Sequence, residues 1–260
     1  LSPVTLNFPF NKEGRRKIKY DPVSGAVLYG GTFPCGKCIP CKIQKAREWA
    51  LRCCLELPYW DKACFVTLTY DDEHLPPNGT LVKADFQKFM KRLRKLLEPH
   101  KIKMFACGEY GSNTNRPHYH AIIFGVGPGI LNHSEANIIE TVWTQGRVFV
   151  GDCTFHSARY CAEYIFKKYN GAKQIEMYDD LGLESPFQLQ SIGIGKRYLL
   201  DNLDDLFARG YVLYRGGKFS LPRYFADYMS RNDEKRYEEM ITRLQTSRFD
   251  DFEGSYDEFM

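Results

Sequence analysis

The chain has 260 residues, 43% hydrophobic and 26% charged, with a net charge of +4. That length and balance suit one core domain with appended elements in a soluble globular protein. No run of 18 apolar residues occurs, which excludes a membrane-spanning helix.

The charge is uneven. Residues 246–260 set five carboxylates (Asp250, Asp251, Glu253, Asp257 and Glu258) against Arg248 alone, and without them 35 basic residues face 27 acidic ones, a net +8. Basic clusters at Arg15–Lys19, Lys37–Arg47, Lys88–Lys95 and Lys167–Lys168 permit a nucleic-acid partner, although such runs are also ordinary solvated faces. The start, Leu-Ser-Pro-Val-Thr-Leu, has no basic n-region and no apolar h-region, and without a Met it reads as a trimmed or partial chain. Nine cysteines without a secretory signal point to a reducing compartment and to free thiols or metal ligands.

Residues 1–34 read as irregular, with turns at Pro22–Gly25 and Gly30-Gly31. Cys35, Cys38 and Cys41 follow in a Cys-x2-Cys-x2-Cys cluster that leads into a helix over 42–57, stopped by Pro58. Three thiolates at that spacing suit a structural zinc ion, with Cys53, Cys54, Cys64 or a His as fourth ligand; a reduced, turn-forming segment is the alternative. Cys64–Tyr70 is aromatic and β-branched, a strand. After a turn-rich loop, Phe86, Phe89, Met90, Leu93 and Leu97 fall at helical spacing over 85–97.

Strands follow at 102–107 and 118–124, joined by the Gly- and Asn-rich loop 108–117, which implies antiparallel pairing. Ser134 suits the cap of a helix carrying Ile138, Ile139, Val142 and Trp143, and 147–150 reads as a short strand. A helix capped by Ser157 runs to about 169 and closes at Asn170-Gly171. Beyond it come loops to Gly195, a helix near 198–208, a hairpin over 211–220, a helix over 222–245 and an acidic mobile tail over 246–260. The expected fold is α+β: an antiparallel central sheet with helices packed mainly on one face, plus N- and C-terminal extensions. The expected divisions are 1–60, a core at 61–172, 173–245 and 246–260.

Two stretches carry chemistry. In Arg116-Pro-His-Tyr-His-Ala121, period-two geometry puts His118 and His120 on one side of their strand, where two neutral imidazoles can share a divalent ion. The antiparallel hairpin returns Glu109 beside them as a third donor. In Arg159-Tyr-Cys-Ala-Glu-Tyr-Ile-Phe-Lys167, with Tyr160 set at zero, Tyr164 falls near about 40° and Lys167 near about −20°. Ala158, Cys161, Ala162, Ile165 and Tyr169 cluster at roughly 100–200°, so both phenols and the ammonium lie off the apolar stripe. An unperturbed phenol has a pKa of about 10 and needs help to attack; Lys167 supplies charge and a metal supplies an electrophilic phosphorus. Two tyrosines allow two successive transfers.

Other candidates are weaker. Asp71-Asp72-Glu73 with His74 is an acidic turn that resembles a second metal site, although a solvated turn explains it as well. Gly193-Ile-Gly195-Lys196 fails the spacing of phosphate-binding loops. Lys88–Lys95 either tracks a DNA backbone or solvates its helix.

Three stretches taken in order carry a family resemblance: Phe65-Val-Thr-Leu-Thr-Tyr70; Cys107-Gly-Glu-Tyr-Gly111 with Arg116-Pro-His-Tyr-His120; and Tyr160-x3-Tyr164-x2-Lys167. On them the chain resembles the replication initiation proteins of gokushovirus-type microviruses, within the HUH endonuclease superfamily, and Cys35–Glu56 also looks typical of the phage proteins. The resemblance implies a palm like that of ferredoxin or RNA-recognition domains. It implies His118 and His120 as a metal pair, Glu109 as third ligand, Tyr160 and Tyr164 as paired nucleophiles, and Lys167 as their lysine. Glu163 departs from the pattern, standing where the best-known microvirus relatives have a basic residue.

The implied activity is rolling-circle initiation: Mg2+- or Mn2+-dependent nicking of single-stranded origin DNA through a 5′-phosphotyrosine, then strand joining. Its partners are phage DNA and the host helicase and polymerase in the bacterial cytoplasm, with no membrane. The rivals are a transposase or relaxase of the same chemistry, and a non-enzymatic zinc-containing nucleic-acid binder.

Overall fold

The computed structural model describes residues 39–111, 114–127, 133–163 and 176–256. The chain divides into two compact units: residues 36–197, and a second that includes 198–260. Among the described residues, no helix is long and apolar enough to cross a membrane.

The first unit is α+β, as expected, and is built on a five-stranded antiparallel sheet. Its helices and strands are α1 (Ile39–Glu56), β1 (Ala63–Tyr70), α2 (Lys83–Leu96), β2 (Lys103–Tyr110), β3 (Pro117–Phe124), α3 (His133–Val142), β4 (Gly146–Asp152), α4 (Phe155–Glu163) and β5 (Phe187–Gln190). The strand order is β4-β1-β3-β2-β5, so β3, which carries the two histidines, sits at the centre. β5 lies in a stretch expected to be loop; its four residues are too short for alternation to stand out against the flanking turns.

Strand periodicity sorts the side chains onto two faces. On one face Cys64, Val66, Leu68 and Tyr70 of β1 meet Tyr119, Ala121 and Ile123 of β3. The predicted stripe of α2 (Phe86, Phe89, Met90 and Leu93) is buried against them, with Ile139, Val142 and Trp143 from the α3 region. Burying each such side chain is worth about 1.5–3 kcal/mol, so this layer is the main stabilising term of the unit. Its polar atoms are satisfied. The Tyr119 hydroxyl accepts from Val82 N–H at 3.0 Å and donates to Val82 O at 2.9 Å. Tyr70 donates to Asp85 at 3.0 Å, with its oxygen 2.7 Å from that of Tyr119.

The packing of helices mainly on one face holds for α2 and α3. α1 and α4 cover part of the opposite face, where Trp49 stacks on Phe105 at 5.1 Å and Cys161 Sγ lies 3.8 Å from Cys107 Sγ. The buried Glu56 carboxylate of α1 accepts from Trp60 Nε1 (2.8 Å), Lys103 Nζ (2.7 Å) and Gly195 N–H (2.7 Å). Arg52 donates to Ile194 O through two nitrogens. A carboxylate therefore occupies the amide that a phosphate would need in the Gly193–Lys196 loop, which is a structural tether.

In the second unit, a short helix α6 (Leu203–Arg209), preceded by α5 (Lys196–Asp201) at the division between the units, leads into a hairpin of β6 (Tyr211–Tyr214) and β7 (Gly217–Ser220). The expected helix over 222–245 is two helices, α7 (Arg223–Asn232) and α8 (Glu234–Tyr256). Asp233 breaks it with φ −150° and ψ 79°, and its carboxylate accepts from Arg236 N–H at 3.1 Å, an N-cap. Arg243 of α8 donates to the carbonyls of Phe207 and Ala208, both at 2.7 Å, closing the C-terminus of α6.

Candidate active site

The histidine pair stands on the face opposite the α2–α3 layer. The register places His118 between Thr69 of β1 and Glu109 of β2, and His120 between Thr67 and Cys107. Thr67 Oγ1 lies 3.0 Å from His120 Nδ1, and Thr69 Oγ1 lies 3.1 Å from His118 Nδ1. Both imidazoles are thus held at Nδ1 by hydroxyls from the neighbouring strand, in the manner of outer-shell partners that orient metal-binding histidines. His120 Nε2 lies 3.2 Å from Glu109 Oε1, and both side chains are buried.

The Tyr119 between the histidines points into the core, as alternation requires, and burial pushes its phenol up to about 12. Burial, with the Tyr119 hydroxyl beside it, raises Tyr70 further still. Neither ionises near neutrality, and neither can reach solvent.

Tyr160 differs. It stands on α4 with 46% of its surface exposed, its ring edge-on to His120 at 5.3 Å and to Phe65 at 6.0 Å. Phe65 in turn stacks on His120 at 5.7 Å. The helical phase read from the sequence is the observed one: Ala158, Cys161 and Ala162 are fully buried. An open groove of about 460 Å³ runs beside Tyr160, lined by Phe65, His156, Ser157 and Arg159. The helix is capped three residues earlier than expected. Thr154 is the N-cap, accepting from Ser157 N–H at 3.1 Å, while Ser157 Oγ accepts from Thr154 N–H at 2.6 Å.

Tyr164 and Lys167 lie outside the described residues, as do Cys35 and Cys38; Cys41 is buried at the start of α1. The remaining thiols lie apart from the histidine donors: burial raises Cys53 and Cys161 well above the usual range and Cys153 to about 12. The acidic turn after β1 is self-contained: Asp71 binds the ring and N–H of His74, which lowers its carboxyl pKa, and Asp72 pairs with Arg116 at 2.8 Å.

The donor set of two Nδ1-anchored imidazoles and one buried carboxylate suits a hard or borderline divalent ion. Among the described residues no three such side chains already enclose a common point. The His118 and His120 rings are 6.3 Å apart, while Glu109 is drawn onto His120. The threonines were missed as functional residues from sequence, although Thr67-Leu-Thr69 alternates in step with His118-Tyr-His120 and carries the signal. Gly111 is a second omission: a Cβ there would stand 2.8 Å from His118 Nε2, so only glycine leaves that nitrogen clear.

Comparison with known proteins agrees with this arrangement. The family described as replication-associated protein ORF2 matches residues 63–169, which includes all three strands of the site and α4. The chain is 35% identical over 232 residues to the replication-associated protein VP4 of Bdellovibrio phage phiMH2K, covering 82% of this chain and 72% of the relative. It is 34% identical over 235 residues to the replication-associated protein ORF2 of Spiroplasma virus 4, with the same coverage. The chain belongs to the phage replication-associated protein family. A third relative, the replication-associated protein ORF4 of Chlamydia phage 1, is 26% identical over 248 residues, covering 89% of this chain and 60% of that protein. No solved structure matches. This replication-associated protein therefore keeps its histidines, glutamate and exposed tyrosine inside the segment that defines its family.

Proposed function

We propose that this protein initiates rolling-circle replication of a small phage genome by nicking single-stranded origin DNA with a tyrosine, assisted by a divalent ion. The observation that supports it most is the exposed Tyr160 edge-on to His120, an imidazole already braced by Thr67 and Glu109. His118, His120 and Glu109 would hold Mg2+ or Mn2+, and the bound ion supplies Lewis-acid polarisation of a non-bridging phosphate oxygen.

The protein's own residues do the rest. Phe65 and His120 fix the plane against which the Tyr160 ring rests, and Arg159 and His156 line the groove beside it, where a phosphate backbone can lie. The Tyr160 oxygen attacks phosphorus and its proton passes to solvent. A Tyr–O–P bond forms as the P–O3′ bond breaks, and the departing oxygen takes up a proton to become a free 3′-OH. That end primes host polymerase, working with the host helicase in the bacterial cytoplasm. Tyr164, one helical turn on, repeats the attack at the regenerated junction, and Lys167 favours its ionised form; the freed 3′-OH then displaces a phosphotyrosine and closes the circle.

Nicking of a labelled origin oligonucleotide tests this reading. The expected result is Mn2+-dependent cleavage that chelation stops, falling at least about 100-fold in His118→Ala and His120→Ala with single-strand binding retained. Binding without cleavage under every divalent ion contradicts it and favours a non-enzymatic nucleic-acid binder.

A further inference from the structure

Strand β4 is one edge of the sheet, and the proposed chemistry uses none of its residues. By register, Arg147 lies opposite Thr69, Phe149 opposite Thr67 and Gly151 opposite Phe65, so all three stand on the histidine face. They are two strands from β3, a lateral distance of about 10 Å.

Phe149 is unusual there. It is 62% exposed, and its ring meets no other aromatic ring among the described residues. It leans along its own strand over Gly151, where a Cβ would come within 3.1 Å of Phe149 Cε1. The glycine thus makes room for the ring to lie down on the sheet, where a free-standing rotamer would project into water. Arg147, two residues away on the same face, is exposed and has no ion pair or side-chain hydrogen bond among the described residues. Edge strands are ordinarily blunted by charge; here a large apolar ring is left in water beside a guanidinium.

We propose that the β4 edge is a nucleotide subsite for the single strand being cut, with one base stacked on Phe149 and a neighbouring phosphate held by Arg147. This rests on the single-strand reading of the site. A flat ring accepts any base, because every base offers a π-face, and arginine matches phosphate oxygens with paired N–H donors. Next to the histidines, such a subsite holds the strand in line with Tyr160 without reading its sequence. The charge on the face fits: Arg147, Arg159 and His156 surround the path between the groove and the edge.

The test compares binding of two fluorescent probes of equal length, oligo-dT and a wholly abasic strand, to the full chain in EDTA. Wild type should prefer oligo-dT, and Phe149→Ala should shrink that preference by about tenfold while Phe149→Trp keeps it. Arg147→Gln should weaken both probes equally and lower the salt slope by about one. An unchanged preference in Phe149→Ala overturns the proposal while leaving the nicking reading intact. So does a shift in sedimentation of the DNA-free Phe149→Ala protein with unaltered DNA affinity, which would assign the ring to a second copy of the chain. A wild type that binds neither probe removes the single-strand reading itself, and this subsite with it.

Discussion

The two threonines of β1 decide how the histidines present themselves. With each Nδ1 facing a hydroxyl, the Nε2 atoms are the ones that can take a metal, and the rings cannot swing. Thr67→Val keeps the shape and removes the hydroxyl, so half-saturation of cleavage by Mn2+ should rise about 10-fold or more with unchanged far-UV circular dichroism. On the other side of the sheet, the raised phenol of Tyr119 gives a pH dependence with a definite sign. Its folded pKa, about 12, stands above the ordinary value of about 10 because burial disfavours the anion. The stability it contributes is fully present below pH 10 and is lost as pH rises from about 10 through 12. Thermal unfolding should fall across that window, and less steeply in Tyr119→Phe.

At the scale of elements, the helix that carries Tyr160 is held by a reciprocal cap between Thr154 and Ser157 and by three buried small residues. Thr154→Ala removes one of the two cap bonds, at about 1 kcal/mol, and should lower the melting temperature by roughly 2–4 °C. Nicking should slow further than that loss of stability explains, because the cap also sets where the phenol stands. The long periodic elements were legible in the sequence. The α2 stripe, the β1 and β3 alternation and the off-core phase of Tyr160 all follow from spacing, since one buried face must repeat with the backbone. The legible part of the site was likewise that which shares a strand or helix. What was not legible depends on contacts between distant segments. β5 is set by pairing with β2, and the break at Asp233 by a cap that competes with an otherwise helical run. The role of Thr67 and Thr69 appears only once β1 lies beside β3.

Across the whole molecule, a central strand carries the electrophilic side of the site and a helix forty residues on carries the nucleophile. Family membership spans these elements together, since the matched segment runs from β1 through α4. The excess of basic residues ahead of the acidic C-terminal stretch predicts that single-strand affinity falls linearly with salt on logarithmic axes. The central claim is that a tyrosine of the 160–164 pair becomes covalently joined to DNA. Mass spectrometry of the protein after incubation with an origin oligonucleotide and Mn2+ addresses it most directly. The account predicts a 5′-phosphotyrosine on Tyr160 or Tyr164, lost in the Tyr160→Phe, Tyr164→Phe double variant. An undiminished adduct in that double variant would contradict it.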